Sequence, residues 1–193
     1  MTEPAAFSAN HAAKRQALVD AAIHVLWHDG VEACTARAIA DASPLTKSAL
    51  HYYFDDVDEI LDLAFRHLMD EYISRFQKAA IDAPDPVTAL WGAVEQYVAH
   101  GAERPGRAPL LWFDYHVHSL RRGETATAAE LTLRTQRFFE ELVEATGVAN
   151  GTERGRVLFA ALIGQVVVGS LEPRDLDASV AELGASLGLP SPH

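Results

Sequence analysis

Four residues, Gly30, Thr35, Pro44 and Thr46, cut the N-terminal part of this chain into one longer and two short helices. Upstream of them, Leu18, Ala21, Ala22, Val25 and Leu26 recur at three- and four-residue spacing within 11–28, the stripe of an amphipathic helix. Gly30 follows where a left-handed cap would close that helix. Thr35 is an N-cap for a second helix over 36–41, with Ile39 and Ala40 turned inward. Pro44 ends it, because proline lacks an amide hydrogen and pushes the preceding Ser43 out of helical geometry. Thr46 then caps a third helix that runs to about Tyr53. Two short helices joined by a tight turn behind a longer one are the outline of a DNA-binding helix-turn-helix, whose second element enters the major groove.

Helical periodicity continues beyond this point, and no segment alternates apolar and polar residues as a half-buried strand would, so the fold class is all-α. Asp56 and Glu59 have capping-box spacing and start a fourth helix through Ile60, Leu61, Ala64, Leu68 and Tyr72. After a loop with two prolines at 81–86, further helices are expected at 87–101, 108–122 and 124–146. A turn at Asn150-Gly151-Thr152 precedes the last two, at 153–171 and 176–187. The division expected is a three-helix DNA-binding domain over 1–56 and a larger helical domain for ligand binding and dimerisation over 57–193.

The residues of the first part carry more than an outline. Gly30-Val31-Glu32-Ala33-Cys34-Thr35-Ala36-Arg37-Ala38-Ile39-Ala40, continued by Thr46-Lys47-Ser48-Ala49-Leu50-His51-Tyr52-Tyr53-Phe54, resembles the N-terminal signature of the tetracycline-repressor (TetR) family over roughly residues 14–61. The resemblance implies a ligand-responsive transcription regulator, in most cases a repressor that a small molecule releases from a palindromic operator. Its partners would be double-stranded operator DNA, an unidentified small molecule and a second copy of the chain. The alternative is a small-molecule-binding helical dimer of the same ancestry without specific DNA binding.

Within that frame the DNA-contacting set is Thr35, Arg37, Thr46, Lys47, Ser48, His51 and Tyr52. Thr35 and Thr46 stand at helix N-termini, where exposed amides and the positive dipole end favour phosphate. Lys47, Ser48 and His51 lie early on the recognition helix, the part that meets base edges. Arg37 and Tyr52 are phosphate contacts, with packing against the first helix as the other role open to Tyr52 or Tyr53. Two residues depart from the family pattern: Pro44 stands where a glycine is usual in the turn, and Val57 where a lysine often begins the fourth helix. A positive φ in the turn is thereby excluded, and one phosphate contact is missing.

Charge bears on the same point. The chain carries a net −11 with histidines neutral. Residues 1–56 are acidic too: Lys14, Arg15, Arg37 and Lys47 face Glu3, Asp20, Asp29, Glu32, Asp41, Asp55 and Asp56, a balance of −3. Phosphate contacts come largely from Lys and Arg, so the DNA-binding surface must be local and its salt dependence shallow.

The second part is legible mostly as pattern. Leu176, Val180, Leu183 and Leu187 recur at spacings of four, three and four, a seam suited to helix packing, and the family resemblance places the dimer interface there. The preceding helix is apolar nearly all round, and its Ala160, Ala161, Gly164 and Gly169 would permit close helix approach. Trp91, Tyr97, His100, Trp112, Phe113, Tyr115, His116, Phe138 and Gln165 form the ligand-binding set, since a small-molecule site is commonly apolar with a few polar anchors; core packing explains any one of these aromatics equally well.

No metal or cofactor is expected: His24 and His28 share a helix face, His116 and His118 do not, and no acid or cysteine completes either pair. An enzyme is not expected either, as the sequence holds no Gly-x-Ser-x-Gly elbow, phosphate loop or His-Glu-x-x-His motif. The single cysteine, Cys34, reads as a small buried hydrophobe. The most apolar run, 157–171, is broken by Gly164, Gln165 and Gly169 and falls short of the roughly 20 residues a bilayer requires. With no signal peptide at 1–10 either, the expected location is the cytoplasm.

Overall fold

A computed structural model describes residues 3–103, 108–171 and 176–191. Among the described residues there are nine helices and no strand: α1 (Glu3–Asp29), α2 (Ala36–Asp41), α3 (Lys47–Tyr53), α4 (Val57–Ile81), α5 (Pro86–Glu103), α6 (Ala108–Arg122), α7 (Ala126–Ala145), α8 (Gly151–Leu171) and α9 (Leu176–Ser186). The first helix begins at Glu3 rather than near His11.

The caps are built as the sequence spacing dictates. Thr35 Oγ1 accepts from the Ala38 amide and Thr46 Oγ1 from the Ala49 amide, each at 3.2 Å. Asp56 Oδ1 accepts from the Glu59 amide at 2.8 Å, while the Glu59 carboxylate reaches back to the Asp55 amide at 3.1 Å. That reciprocal bond lands one residue upstream of the N-cap amide that a capping box normally satisfies. Gly30 adopts φ +90°, the left-handed geometry that closes α1. Between α2 and α3 no residue has positive φ. Ser43 holds that turn instead: its hydroxyl accepts from the Leu45 amide at 3.1 Å and lies 3.2 Å from the carbonyls of Ala40 and Leu45. Pro44 therefore fits without the glycine-type turn.

Two hydrophobic cores lie along α4. The first joins Leu18, Ala22 and Leu26 of α1 to Ile39, Leu50 and Phe54, to Ile60, Leu61 and Phe65 of α4, and to Leu111, Tyr115 and Leu131 of α6 and α7. The second joins Ile73 and Phe76, further along α4, to Leu90 and Val94 of α5, Phe139 and Val143 of α7, and Leu158 and Leu162 of α8. The three N-terminal helices thus share one core with α6 and α7, and it runs through the expected boundary at 56.

Helices α7 and α8 form the closest pair. A Cβ added at Gly155 would sit 2.5 Å from the Glu140 Cα, and one at Gly151 would sit 2.7 Å from the Glu144 Cα. Backbone meets backbone at these glycines. At Gly164 and Gly169, nothing lies within 4 Å of where a Cβ would be.

Candidate nucleic-acid interface and effector region

Residues 47, 48, 51 and 52 fall on one side of α3: 47 and 51 lie four residues apart, as do 48 and 52, and the two pairs are adjacent around the helix. Leu50 on the other side is fully buried and locks the helix onto α1 and α2. Thr46, Lys47, Ser48 and His51 are exposed, and Tyr52 is 67% exposed. Tyr53 is half-buried against the first core, its ring 4.8 Å from His11 and 5.0 Å from Tyr52. Of the two tyrosines, Tyr53 packs and Tyr52 projects. Thr35 is exposed at the start of α2, and Arg37 extends into solvent with Asp41 at 3.7 Å, one turn on.

Not every cation of the first part is available to DNA. Arg15 donates to Glu59 at 2.6 Å, and its guanidinium lies 4.4 Å from the centre of the Phe54 ring, tying α1 to the start of α4. His11, which the sequence reading passed over, reaches the Tyr52 ring at 6.0 Å from α1. The signal was absent because α1 shows no periodic stripe upstream of Leu18. Cys34 is buried, and burial, with the nearby Asp58 carboxylate, pushes its thiol up to about 12. It stays a neutral thiol at any physiological pH.

Of the ligand-binding set, Trp112 and Tyr115 go with the first core, and Trp91, Tyr97 and Phe138 with the second. Tyr115 is fully buried in the first; its ring stacks on Phe65 at 3.7 Å, and its hydroxyl donates to Asp62 at 2.9 Å. Trp112 packs on the same core and stacks on His116 at 3.7 Å, with Phe113 edge-on at 4.9 Å. Trp91 and Tyr97 belong to the second core, and the Trp91 indole N–H donates to the Pro190 carbonyl at 2.7 Å. Phe138 packs against that core and also lines a surface groove of about 550 Å³ with Gln77, Leu133 and Arg137. Gln165 is half-buried on α8, and the His100 side chain lies outside the described residues.

His116 is the histidine of this set whose side chain is described. Its Nδ1 faces the Trp112 carbonyl at 2.7 Å and so carries a proton; its Nε2 lies 2.8 Å from Thr132 Oγ1, which in turn lies 2.8 Å from the Ala128 carbonyl. Burial lowers its pKa from the ordinary histidine value, against the backbone hydrogen bonds that raise it. The unfolded chain therefore takes up the proton first as pH falls, at about 6.5. The stability that a neutral His116 supplies is fully present above that value and is lost as pH drops toward its folded pKa. A His116→Gln variant should show a shallower fall in denaturation midpoint between pH 7.5 and 5.5 than the unmodified protein; identical slopes would remove His116 as the cause.

On α9 the side chains of Val180, Leu183 and Leu187 are half-buried and pack against the chain's own second core, while that of Leu176 lies outside the described residues. An exposed apolar face runs along α8. Val157 is 52% and Val168 38% exposed, and Ala160 and Gly164 lie exposed between them on the same side of the helix.

Residues 18–64 match the family model described as "Bacterial regulatory proteins, tetR family". This N-terminal part is that of a TetR-family regulator. Over 77 residues the chain is 32% identical to the HTH-type nicotine-responsive transcriptional repressor HdnoR of Paenarthrobacter nicotinovorans, a match covering 40% of this chain and 39% of that protein. It therefore spans well under two thirds of that relative's length. Over 155 residues it is 24% identical to the HTH-type transcriptional repressor KstR2 of Rhodococcus jostii, covering 80% of this chain and 74% of that one. Beyond the DNA-binding part, the TetR fold extends through the chain. The solved TetR-family regulator SCO4454 of Streptomyces coelicolor superposes with a TM-score of 0.70 at 15% identity, covering 97% of this chain and 93% of the other. No helix among the described residues is long and apolar enough to cross a membrane.

Proposed function

We propose that this chain is a homodimeric transcriptional repressor that binds a palindromic operator through α3 and is released from it by a small molecule. The observation that carries the reading is the two-sidedness of α3: Leu50 is sunk in the core while Lys47, Ser48, His51 and Tyr52 are presented outward behind the Thr46 cap. A helix anchored on one side and polar on the other is the form in which a recognition helix enters the major groove. Thr35, Arg37 and Thr46 are the flanking phosphate contacts in this reading, and the repressor names of the two curated relatives support it. Such a protein works where the DNA is, in the cytoplasm.

Dimerisation follows from α8. A contiguous apolar face left in water favours association, and a two-fold dimer buries it on both copies at once. The effector acts through α4, which touches both cores and so transmits a shift in the sensor half to the spacing of the two recognition helices.

Selection of bound sequences from a random DNA pool tests the reading. The expected product is a palindrome. Lys47→Ala should then weaken operator binding by about 1 to 3 kcal/mol, roughly 5- to 150-fold, and relax preference at one base position per half-site. A uniform loss over all sequences would make Lys47 a phosphate contact, and failure to enrich any sequence would defeat the proposal.

A further inference from the structure

Beside the start of α4 lies a polar cluster that shares only Tyr115 with the ligand-binding set and none of the DNA-contacting residues. Arg122, at the end of α6, is its hub, with a side chain only 16% exposed. Its Nε lies 3.3 Å from Asp58 Oδ2, its Nη1 donates to Asp62 Oδ1 at 3.4 Å, and its Nη2 pairs with Glu124 in the loop before α7. Around it, His118 Nε2 meets Asp58 Oδ1 at 2.8 Å, the Tyr115 hydroxyl donates to Asp62 Oδ1 at 2.9 Å, and the Thr127 hydroxyl to Asp62 Oδ2 at 3.4 Å. Two successive turns of α4 are thereby held by α6 and α7.

We infer that Arg122 is a positioning residue for DNA binding: it clasps Asp58 and Asp62 and so fixes the pose of the recognition helix in the DNA-competent state. The inference rests on the DNA-binding reading above. Asp58 is the second residue of α4, and only Phe54 to Val57 separate it from the end of α3, so whatever holds Asp58 also holds α3. The guanidinium offers five donors in a fixed fork, which suits it to join several carboxylates at once. Without it, Asp58 and Asp62 are like charges one helical turn apart, an arrangement that repels. The first turns of α4 would then leave α6, carrying α3 with them. An effector that shifts α6 has this clasp as its point of leverage.

The test uses the full-length chain in four variants. Amide hydrogen exchange over 57–64 should quicken at least tenfold in Arg122→Met while α8 stays unchanged. Affinity for the selected operator should fall at least tenfold, whereas weak binding to random-sequence DNA at low salt stays as it was. Arg122→Lys, which restores the charge without the fork, should fall between. Arg121→Met, the same change at an exposed neighbour outside the cluster, should behave as the unmodified protein. If Arg122→Met loses helix content, Asp62→Asn, which keeps the guanidinium, takes its place with the same expectations. Unchanged exchange overturns the clasp, and so does quickened exchange with unchanged operator affinity. If the unmodified protein selects no operator, the DNA reading falls, and the exchange comparison alone decides whether Arg122 holds α4.

Discussion

Replacing Gly155 with alanine is expected to destabilise the folded chain by about 1 to 3 kcal/mol, the range for forcing atoms into a filled interior. Two effects oppose each other here. In an exposed helix interior the same change gains about 1 kcal/mol from backbone entropy. At Gly155 the new methyl would sit 2.5 Å from the Glu140 Cα and 2.9 Å from both the Glu140 nitrogen and the Phe139 carbonyl oxygen. Those atoms are backbone of α7, so no side-chain rotation relieves the contact, and α7 must move away from α8 as a whole. That movement opens the layer in which Phe139, Val143, Leu158 and Leu162 are fully buried. The steric cost wins. Urea denaturation should place the midpoint of Gly155→Ala below that of the unmodified protein, with Gly151→Ala following in the same direction. An equal or higher midpoint would mean that the two helices are not packed this closely.

Charging the outer face of α8 should have a larger effect on assembly than on folding. Ala160 and Gly164 are exposed, and nothing lies within 4 Å of where a Gly164 Cβ would be, so glutamates at both positions leave the single chain intact. Across a two-fold axis they place like charges against each other in what would be a desolvated interface. Ala160→Glu with Gly164→Glu is therefore expected to sediment as a folded monomer at micromolar concentration, where the unmodified chain is expected to sediment as a dimer. Operator affinity should drop by roughly a hundredfold or more, because the second half-site contact ceases to be intramolecular. The more obvious targets, Val180 and Leu183, make a poorer experiment: both pack on the chain's own core, and a charge there would unfold α9 before it reported on dimers. If the unmodified protein is monomeric at these concentrations, the α8 face is not the interface.

What could be read from the sequence is local, and what could not is relational. Thr35, Thr46 and Asp56 announce helix starts because a capping side chain bonds an amide only three residues away. Gly30 announces a helix end for the same reason of proximity. The N-terminal turns of α1 escaped notice because 3–10 shows no apolar period, and a helix can run on without one. Gly164 and Gly169 read as permitting close approach, as residues of an ordinary core also would, yet within the chain it is Gly151 and Gly155 that make it. A glycine in a sequence shows that a close contact is possible without showing which helix faces it. The aromatic residues pose the same difficulty: Tyr115 and Tyr97 look alike as candidates, yet one belongs beside Phe65 and the other beside Phe76 and Phe139. Arg122 was invisible as a hub, since its carboxylate partners at 58 and 62 come from a helix far upstream.

Because Ile60, Phe65, Leu111, Tyr115 and Leu131 complete the core on which α1 to α3 rest, the part proposed to read DNA should not behave as a detachable module. A fragment ending at Asp56 would lose the far wall of that core and expose Leu18, Leu26 and Leu50 to water. Chimeras that exchange specificity between relatives should therefore be joined beyond Phe65, in the stretch of α4 between the two cores, and should carry α6 along with the N-terminal helices. In evolutionary terms, the operator and the effector of such a protein cannot be recombined freely: each new reading head must arrive with the piece of sensor on which it sits.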